Sequence, residues 1–351
     1  MHHLNIAFII PSLKANGPCI VCRDLVVQMI AHGHHCIVYY FDECGNLDFP
    51  CETVRITMKT MIDFEQFDIV HSHEVRPNLY VLLHKPLKCH TKFVVTIHNY
   101  VWRDYRSTYG VLKGGVGTLI FLLSILRHDK KVCLSKDMMA YYSHILNSKR
   151  LAYVYNTRNV DFKLGVTKED EQSILDFKKD NYLIGTFCRI LKRKNLCLVF
   201  RALSLLPHYR FLVIGDGPDL ELVKMQCREC QVEDRVLFLG ARKEAYRYLP
   251  LMDIFAIPSQ SEGFPLALLE AAAFGTKCVC SDIDIFKECF NDNEIVTFPL
   301  AHPEQLACKI VEAQSREELK TNIKEKFNDS YSPQAFYDDY IAIYSDLLKE
   351  F

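Results

Sequence analysis

A chain of 351 residues with an apolar share of 49% and a charged share of 24% is too long for one ordinary core and too apolar to be disordered. Its formal net charge of −1 excludes an overall basic footprint for nucleic acid. The fifteen cysteines are odd in number and scattered, which excludes a disulfide scaffold and points to reduced thiols in a cytosolic compartment. Cys19-x2-Cys22 and Cys227-x2-Cys230 have metal spacing but fall in helix-like segments without a partner pair, so they read as small apolar residues. The start Met-His-His-Leu-Asn runs directly into a strand, and no signal peptide is expected.

In chain order, Ile6 to Ile10 predicts a strand, ended by Pro11 and followed by a loop containing Gly17 and a helix beginning near Ile20. Gly17 is placed to let a phosphate approach the backbone, although no complete Gly-x-Gly-x-x-Gly is present. Further buried parallel strands are expected at Cys36 to Tyr40, Asp68 to His71, Phe93 to His98 and Val132 to Leu134. His71 and His73 alternate on one strand, but no third ligand stands at a convincing spacing, and they read as structural histidines. His98 ends its strand, at the carboxyl edge where ligands bind in open α/β sheets. The apolar run Gly115 to Leu126 is too short to span a bilayer, which needs about twenty residues. Arg103, Arg106, Lys113, Arg127, Lys130 and Lys131 flank it, so the alternatives are a core helix and a helix lying on a membrane surface.

Lys163 to Asp180 is charged and poor in strand formers, as a linker and a solvated helix would be. A second α/β domain then opens with Tyr182 to Phe187, a basic loop, and the amphipathic Leu196 to Leu205. Strands follow at Phe211 to Ile214, Val236 to Gly240 and Ile254 to Pro258. Gly215 and Gly217 supply positions that tolerate positive φ, and Asp216 is expected to cap the next helix. A final helix headed by Ser332-Pro-Gln carries Phe336, Tyr340, Ile343, Leu347 and Phe351 on one face.

The stretch from Ile257 to Gly275 carries the chemistry. Pro265 fits a first helical turn and Gly275 a helix stop, and between them Leu266 to Phe274 holds a single charged residue, Glu270. A helix apolar all round is buried, so this carboxylate needs a partner: a core Arg, or a ligand. Glu262 stands eight residues earlier in the turn entering the helix, followed by Gly263, where a ligand could approach backbone N–H groups at a positive helix end.

Glu262, Gly263, Phe264, Pro265 and Glu270 resemble the Glu-x7-Glu signature of the retaining glycosyltransferases of family 4. The resemblance implies an α/β protein of the GT-B fold: two Rossmann-like doubly wound domains facing a central cleft, with a C-terminal helix crossing back to the first. The expected divisions are an acceptor domain over 1–160, a nucleotide-sugar donor domain over 161–330, and the returning helix over 331–351. By resemblance Arg189 and Lys194 hold the donor diphosphate, at the family's spacing. Glu262 and the amides after it hold the sugar, Gly263, Phe264, Pro265 and Leu266 belong to the donor site, and Glu270 binds the nucleotide ribose. Thr-Ile-His98-Asn matches the strand-end histidine that contacts the transferred sugar, and the Gly17 loop the one that meets phosphate and acceptor, although the usual paired glycines are here reduced to one.

The implied activity is transfer of a sugar from a nucleotide diphosphate donor to a hydroxyl of a glycan or lipid-linked saccharide, with retained configuration, in surface polysaccharide or glycoconjugate assembly. The alternatives are a noncatalytic partner subunit that binds nucleotide sugar, or a GT-B epimerase or phosphorylase. No metal and no cofactor are expected, because Arg189 and Lys194 supply fixed cations and no Asp-x-Asp stands at a strand end; Asp282-Ile-Asp284 lies beyond the apolar helix. The expected partners are the donor and the acceptor, without nucleic acid, in the cytoplasm, with contact at the inner membrane face as an open alternative.

Overall fold

A computed structural model describes residues 3–45 and 47–349. The chain divides into two compact units, Met1–Thr157 with Ser332–Phe351, and Arg158–Tyr331. In the first unit the order is β1 (Asn5–Ser12), α1 (Gly17–Ala31), β2 (His35–Asp42), β3 (Glu52–Arg55), β4 (Ile69–His73), α2 (Val75–His84), β5 (Lys92–Ile97), α3 (Val101–Ser124), β6 (Lys130–Cys133), α4 (Lys136–Ser143) and β7 (Leu151–Tyr153). Its seven strands run in the order β3-β2-β1-β4-β5-β6-β7, and neighbouring strands pair in parallel. Ile6 to Ile10 and all of β4 are buried, as strands covered by helices on both faces must be.

The second unit comprises α5 (Lys168–Lys178), β8 (Tyr182–Phe187), α6 (Leu196–Leu203), β9 (Tyr209–Ile214), α7 (Leu220–Glu229), β10 (Val236–Gly240), β11 (Ile254–Ile257), α8 (Leu266–Phe274), β12 (Lys277–Ser281), α9 (Asp284–Cys289), β13 (Val296–Phe298), α10 (Pro303–Ser315) and α11 (Glu318–Ser330). Its parallel sheet has the order β10-β9-β8-β11-β12-β13. In each sheet the order reverses beside the first strand, between β1 and β4 and between β8 and β11. At such a switch point the adjoining loops diverge and leave a crevice at the strands' carboxyl ends.

The last helix, α12 (Pro333–Lys349), packs with the first unit against α1. Ser332 Oγ accepts from Ala335 N at 3.3 Å, the cap expected from the sequence. The buried stripe is Phe336, Tyr337, Tyr340, Ile341, Tyr344 and Leu347. Ile343 is only half-buried, and Phe351 lies outside the described residues. The tyrosines are buried because each hydroxyl finds a partner, with Tyr337 on His34, Tyr340 on Thr96 and Tyr344 on His71.

Two segments differ from expectation. α3 bends sharply at Gly110 (φ 77°, ψ 177°), so the apolar run lies on its own preceding turns. A Cβ on Gly114 would come within 2.8 Å of the Arg106 backbone, and one on Gly117 within 2.7 Å of the Tyr105 ring. These glycines allow the close approach. Phe121, Ser124 and Ile125 are buried, while Val111, Leu112, Val116, Leu119, Ile120, Leu123 and Leu126 are exposed, so the run is neither a wholly buried core helix nor a span. No helix among the described residues is long and apolar enough to cross a membrane. Asp216, for its part, does not cap a helix: its carboxylate accepts from Gly217 N at 2.7 Å, and α7 begins only at Leu220. Gly215 has φ 144°, whereas Gly217 is required by space, since a Cβ there would lie 2.1 Å from the Ile190 carbonyl oxygen.

Candidate functional site

Two groups of side chains stand at the switch points. On the second unit, the strand end after β8 leads into the short helical turn Lys192–Lys194, closed by Asn195 in the left-handed conformation (φ 53°). This loop is pinned to its neighbours through the backbone: Lys192 N donates to Asp219 Oδ2 at 2.8 Å, and Gln260 N to the Arg193 carbonyl at 2.8 Å. The pinning brings Lys194 Nζ to 2.6 Å from Glu262 Oε1 and Arg193 Nη1 to 3.5 Å from Glu262 Oε2. Arg193 Nη1 also donates to the Ser261 carbonyl at 2.7 Å. The Glu262 side chain is only 9% exposed, so its charge is balanced by two cations and not by water. Cys188, beside the same groups, has its thiol pushed up to about 11, mainly by burial.

Arg189 does not join this network; it is exposed and makes no hydrogen bond or ion pair among the described residues. Arg193, which the sequence reading passed over, takes a place there. Its signal was present only as one of four basic residues in six positions from Arg189 to Lys194.

Gly263, Phe264, Pro265 and Leu266 lead from this acid into α8, whose N-terminal boundary is Pro265 and whose C-terminal boundary is Gly275 in the left-handed conformation (φ 67°). The Gly263 N–H makes no hydrogen bond among the described residues, so it stands ready as a donor near a positive helix end. Leu268, Leu269 and Ala271 to Ala273 are buried with Glu270, as an apolar helix demands. The required partner of Glu270 is Arg158, whose Nε and Nη2 each lie 2.8 Å from Oε1. This is the core Arg of the structural alternative, and its fork holds one carboxylate oxygen.

On the first unit, Asn16 Oδ1 accepts from Cys19 N at 3.1 Å and caps α1, which begins at Gly17, three residues before the expected start. Gly17 is therefore the first residue of a helix N-terminus at the end of β1, a position suited to an anion. Parallel pairing of β4 and β5 sets His73 opposite Thr96. It brings His73 Nδ1 to 3.0 Å from His98 Nε2. His98 is buried, and burial holds its imidazole down to about 3, so the ring is neutral at physiological pH.

His71 is held by Tyr344 Oη at 2.6 Å and Thr96 Oγ1 at 2.8 Å, the structural role expected of it. Glu74, which follows His73, has φ 75°, a costly conformation for a residue with a side chain, and burial raises its carboxyl above the usual range. Cys19 and Cys22 lie in α1, and Cys227 and Cys230 at the end of α7; no cluster of three metal-ligating side chains occurs among the described residues.

Comparison with known proteins shows the family and the fold. Residues 53–162 match the family described as Glycosyltransferase Family 4, and residues 167–328 that described as Glycosyl transferases group 1. The chain is 30% identical over 356 aligned positions to the O-antigen biosynthesis glycosyltransferase WclY of Escherichia coli, covering 99% of each chain. It is 24% identical over 258 positions, covering 69% of this chain and 65% of the other, to the Escherichia coli UDP-Gal:alpha-D-GlcNAc-diphosphoundecaprenol alpha-1,3-galactosyltransferase. Among solved structures, Anabaena HepE in complex with UDP and glucose is similar with a TM-score of 0.80 at 15% identity, covering 98% of this chain and 100% of that one. Its likeness supports the fold: two parallel-sheet Rossmann-like domains of the GT-B type. The protein belongs to the glycosyltransferases of the group 1 and family 4 type.

Proposed function

We propose that this glycosyltransferase moves a hexose-type sugar from a nucleoside diphosphate donor to a hydroxyl of a lipid-linked saccharide, with retained anomeric configuration and without a metal ion. The observation that carries the reading is the Lys194–Glu262–Arg193 cluster at the mouth of the β8/β11 switch point. A departing nucleoside diphosphate gains negative charge, and a fixed cation preorganised by a carboxylate meets that charge without reorganising. Lys194 and Arg189 form the diphosphate clamp, and Arg193 adds a planar fork on the same loop. Glu262 and the Gly263 N–H then orient the sugar, Glu270 receives the ribose hydroxyls, Gly17 accommodates phosphate or acceptor, and His98 contacts the sugar.

Glu262 is engaged by two cations and is poorly suited to form a covalent sugar ester, so attack from the face of the leaving phosphate fits better than double displacement. A lipid-linked acceptor is supported by two relatives, one an O-antigen biosynthesis glycosyltransferase and the other a galactosyltransferase acting on a diphosphoundecaprenol-linked sugar. The exposed apolar residues of α3, with Arg103, Arg106 and Lys113 beside them, suit contact with an anionic membrane carrying that acceptor.

The clamp is tested by donor turnover in Lys194→Ala and Arg189→Ala. Each is expected to lose on the order of a hundredfold or more in kcat, Lys194 as a cation already held by Glu262 and Arg189 as one that becomes ordered on the diphosphate. Near-normal turnover in both would remove the clamp.

A further inference from the structure

The His73–His98 contact contains more than proximity. One proton lies between His73 Nδ1 and His98 Nε2, 3.0 Å apart, and both rings are buried and neutral. A neutral imidazole carries a single N–H, so the donor's other nitrogen is bare and the acceptor's other nitrogen bears the proton. His73 Nε2 is fully enclosed and has no partner. If His98 donated, His73 would carry its proton on that enclosed nitrogen, leaving an orphaned N–H, which folded proteins tolerate less readily than an unused acceptor. If His73 donates, its enclosed nitrogen is only a lone pair, and His98 carries its proton on Nδ1. That nitrogen is not enclosed in the same way.

Behind His73, the ring of His71 stacks at 4.6 Å and is itself fixed by Tyr344 and Thr96, with Tyr340 on Thr96, so the relay has a rigid back wall.

We propose that His73 is a positioning residue that fixes His98 as the Nδ1–H tautomer, so that His98 meets a sugar oxygen as a hydrogen-bond donor and not as a base. The functional part rests on the reading that His98 touches the sugar. The tautomer itself does not, and the two are tested separately.

Long-range proton–nitrogen NMR on the 15N-histidine-labelled full-length protein reads which nitrogen of His98 is protonated. The expected result is Nδ1–H in the wild type, conversion toward Nε2–H in His73→Phe, and restoration in His73→Asn, whose amide N–H can replace the imidazole donor. Turnover should follow, falling about 10- to 100-fold in kcat in His73→Phe with little change in KM and recovering in His73→Asn, as for other groups that orient an active side chain. Nε2–H in the wild type, which needs no variant, or an unchanged Nδ1–H in His73→Phe, would overturn the proposal. Full activity in His98→Ala would instead overturn the underlying sugar contact while leaving the tautomer assignment intact.

Discussion

Glu262 and Glu270 are both buried acids paired with cations, yet their surroundings predict different failures. Glu262→Gln removes the charge that holds Lys194 and should mainly depress turnover or sugar selectivity. Glu270→Gln should weaken binding of free nucleotide and also loosen the unit, because breaking a buried pair costs about 3–5 kcal/mol. Titration calorimetry with nucleoside diphosphate, alongside thermal unfolding, separates the two effects. A Glu270→Gln protein with a lowered melting temperature and unchanged nucleotide affinity would reduce Glu270 to the structural partner of Arg158. The need for a partner was legible in the sequence, since a lone acid stands in an all-apolar helix. Arg158 was not, because it lies 112 residues away and no local pattern encodes that contact. The same holds for His73, whose pairing with His98 is made by strand register across 25 residues.

At the scale of elements, α3 was legible as an apolar run with basic flanks but not as a bent helix, since the reversal depends on one backbone conformation at Gly110. The flanks also changed meaning. Arg127 donates to the Leu82 and Pro86 carbonyls, Lys130 to the Lys149 carbonyl and Lys131 to the His128 carbonyl, so of the six only Arg103, Arg106 and Lys113 are exposed without such a bond among the described residues. Binding to anionic liposomes should therefore rest largely on the apolar face and weaken only in part with salt. Co-sedimentation of the wild type and of Leu112→Ser/Leu119→Ser, both exposed positions, checks this: the variant should remain in the supernatant. No binding of the wild type at low ionic strength would leave the exposed face without a lipid role.

At the scale of the whole molecule, both doubly wound sheets could be read from their short Val- and Ile-rich strands. The strands β3, β12 and β13 were missed, two of them being edge strands of four and three residues and the third, Lys277–Ser281, carrying polar ends. In the first unit His71, His73, His98 and His128 are buried and neutral. His71 and His98 are pushed down to about 3, and His73 and His128 well below the ordinary range, chiefly by burial, with Lys131 and Lys85 adding to the effect on His128. Between about pH 6.5 and 3 the unfolded chain binds protons that the folded protein refuses, so stability falls as pH falls. The slope is about 1.4 kcal/mol per pH unit for each such histidine once the unfolded ring is protonated. Thermal unfolding at pH 7 and pH 5 should show a marked drop, and an unchanged melting temperature would contradict the neutral, buried assignment.

In the proposed transfer fixed cations take the place of a metal and the donor's configuration is kept. The direct measurement is transfer from an α-linked nucleoside diphosphate sugar to a lipid-diphosphate-linked saccharide in excess EDTA, with the product's anomeric configuration read by NMR. The prediction is an α-linked product formed at the same rate with and without the chelator. A β-linked product, or transfer abolished by EDTA and restored by magnesium or manganese, would contradict it.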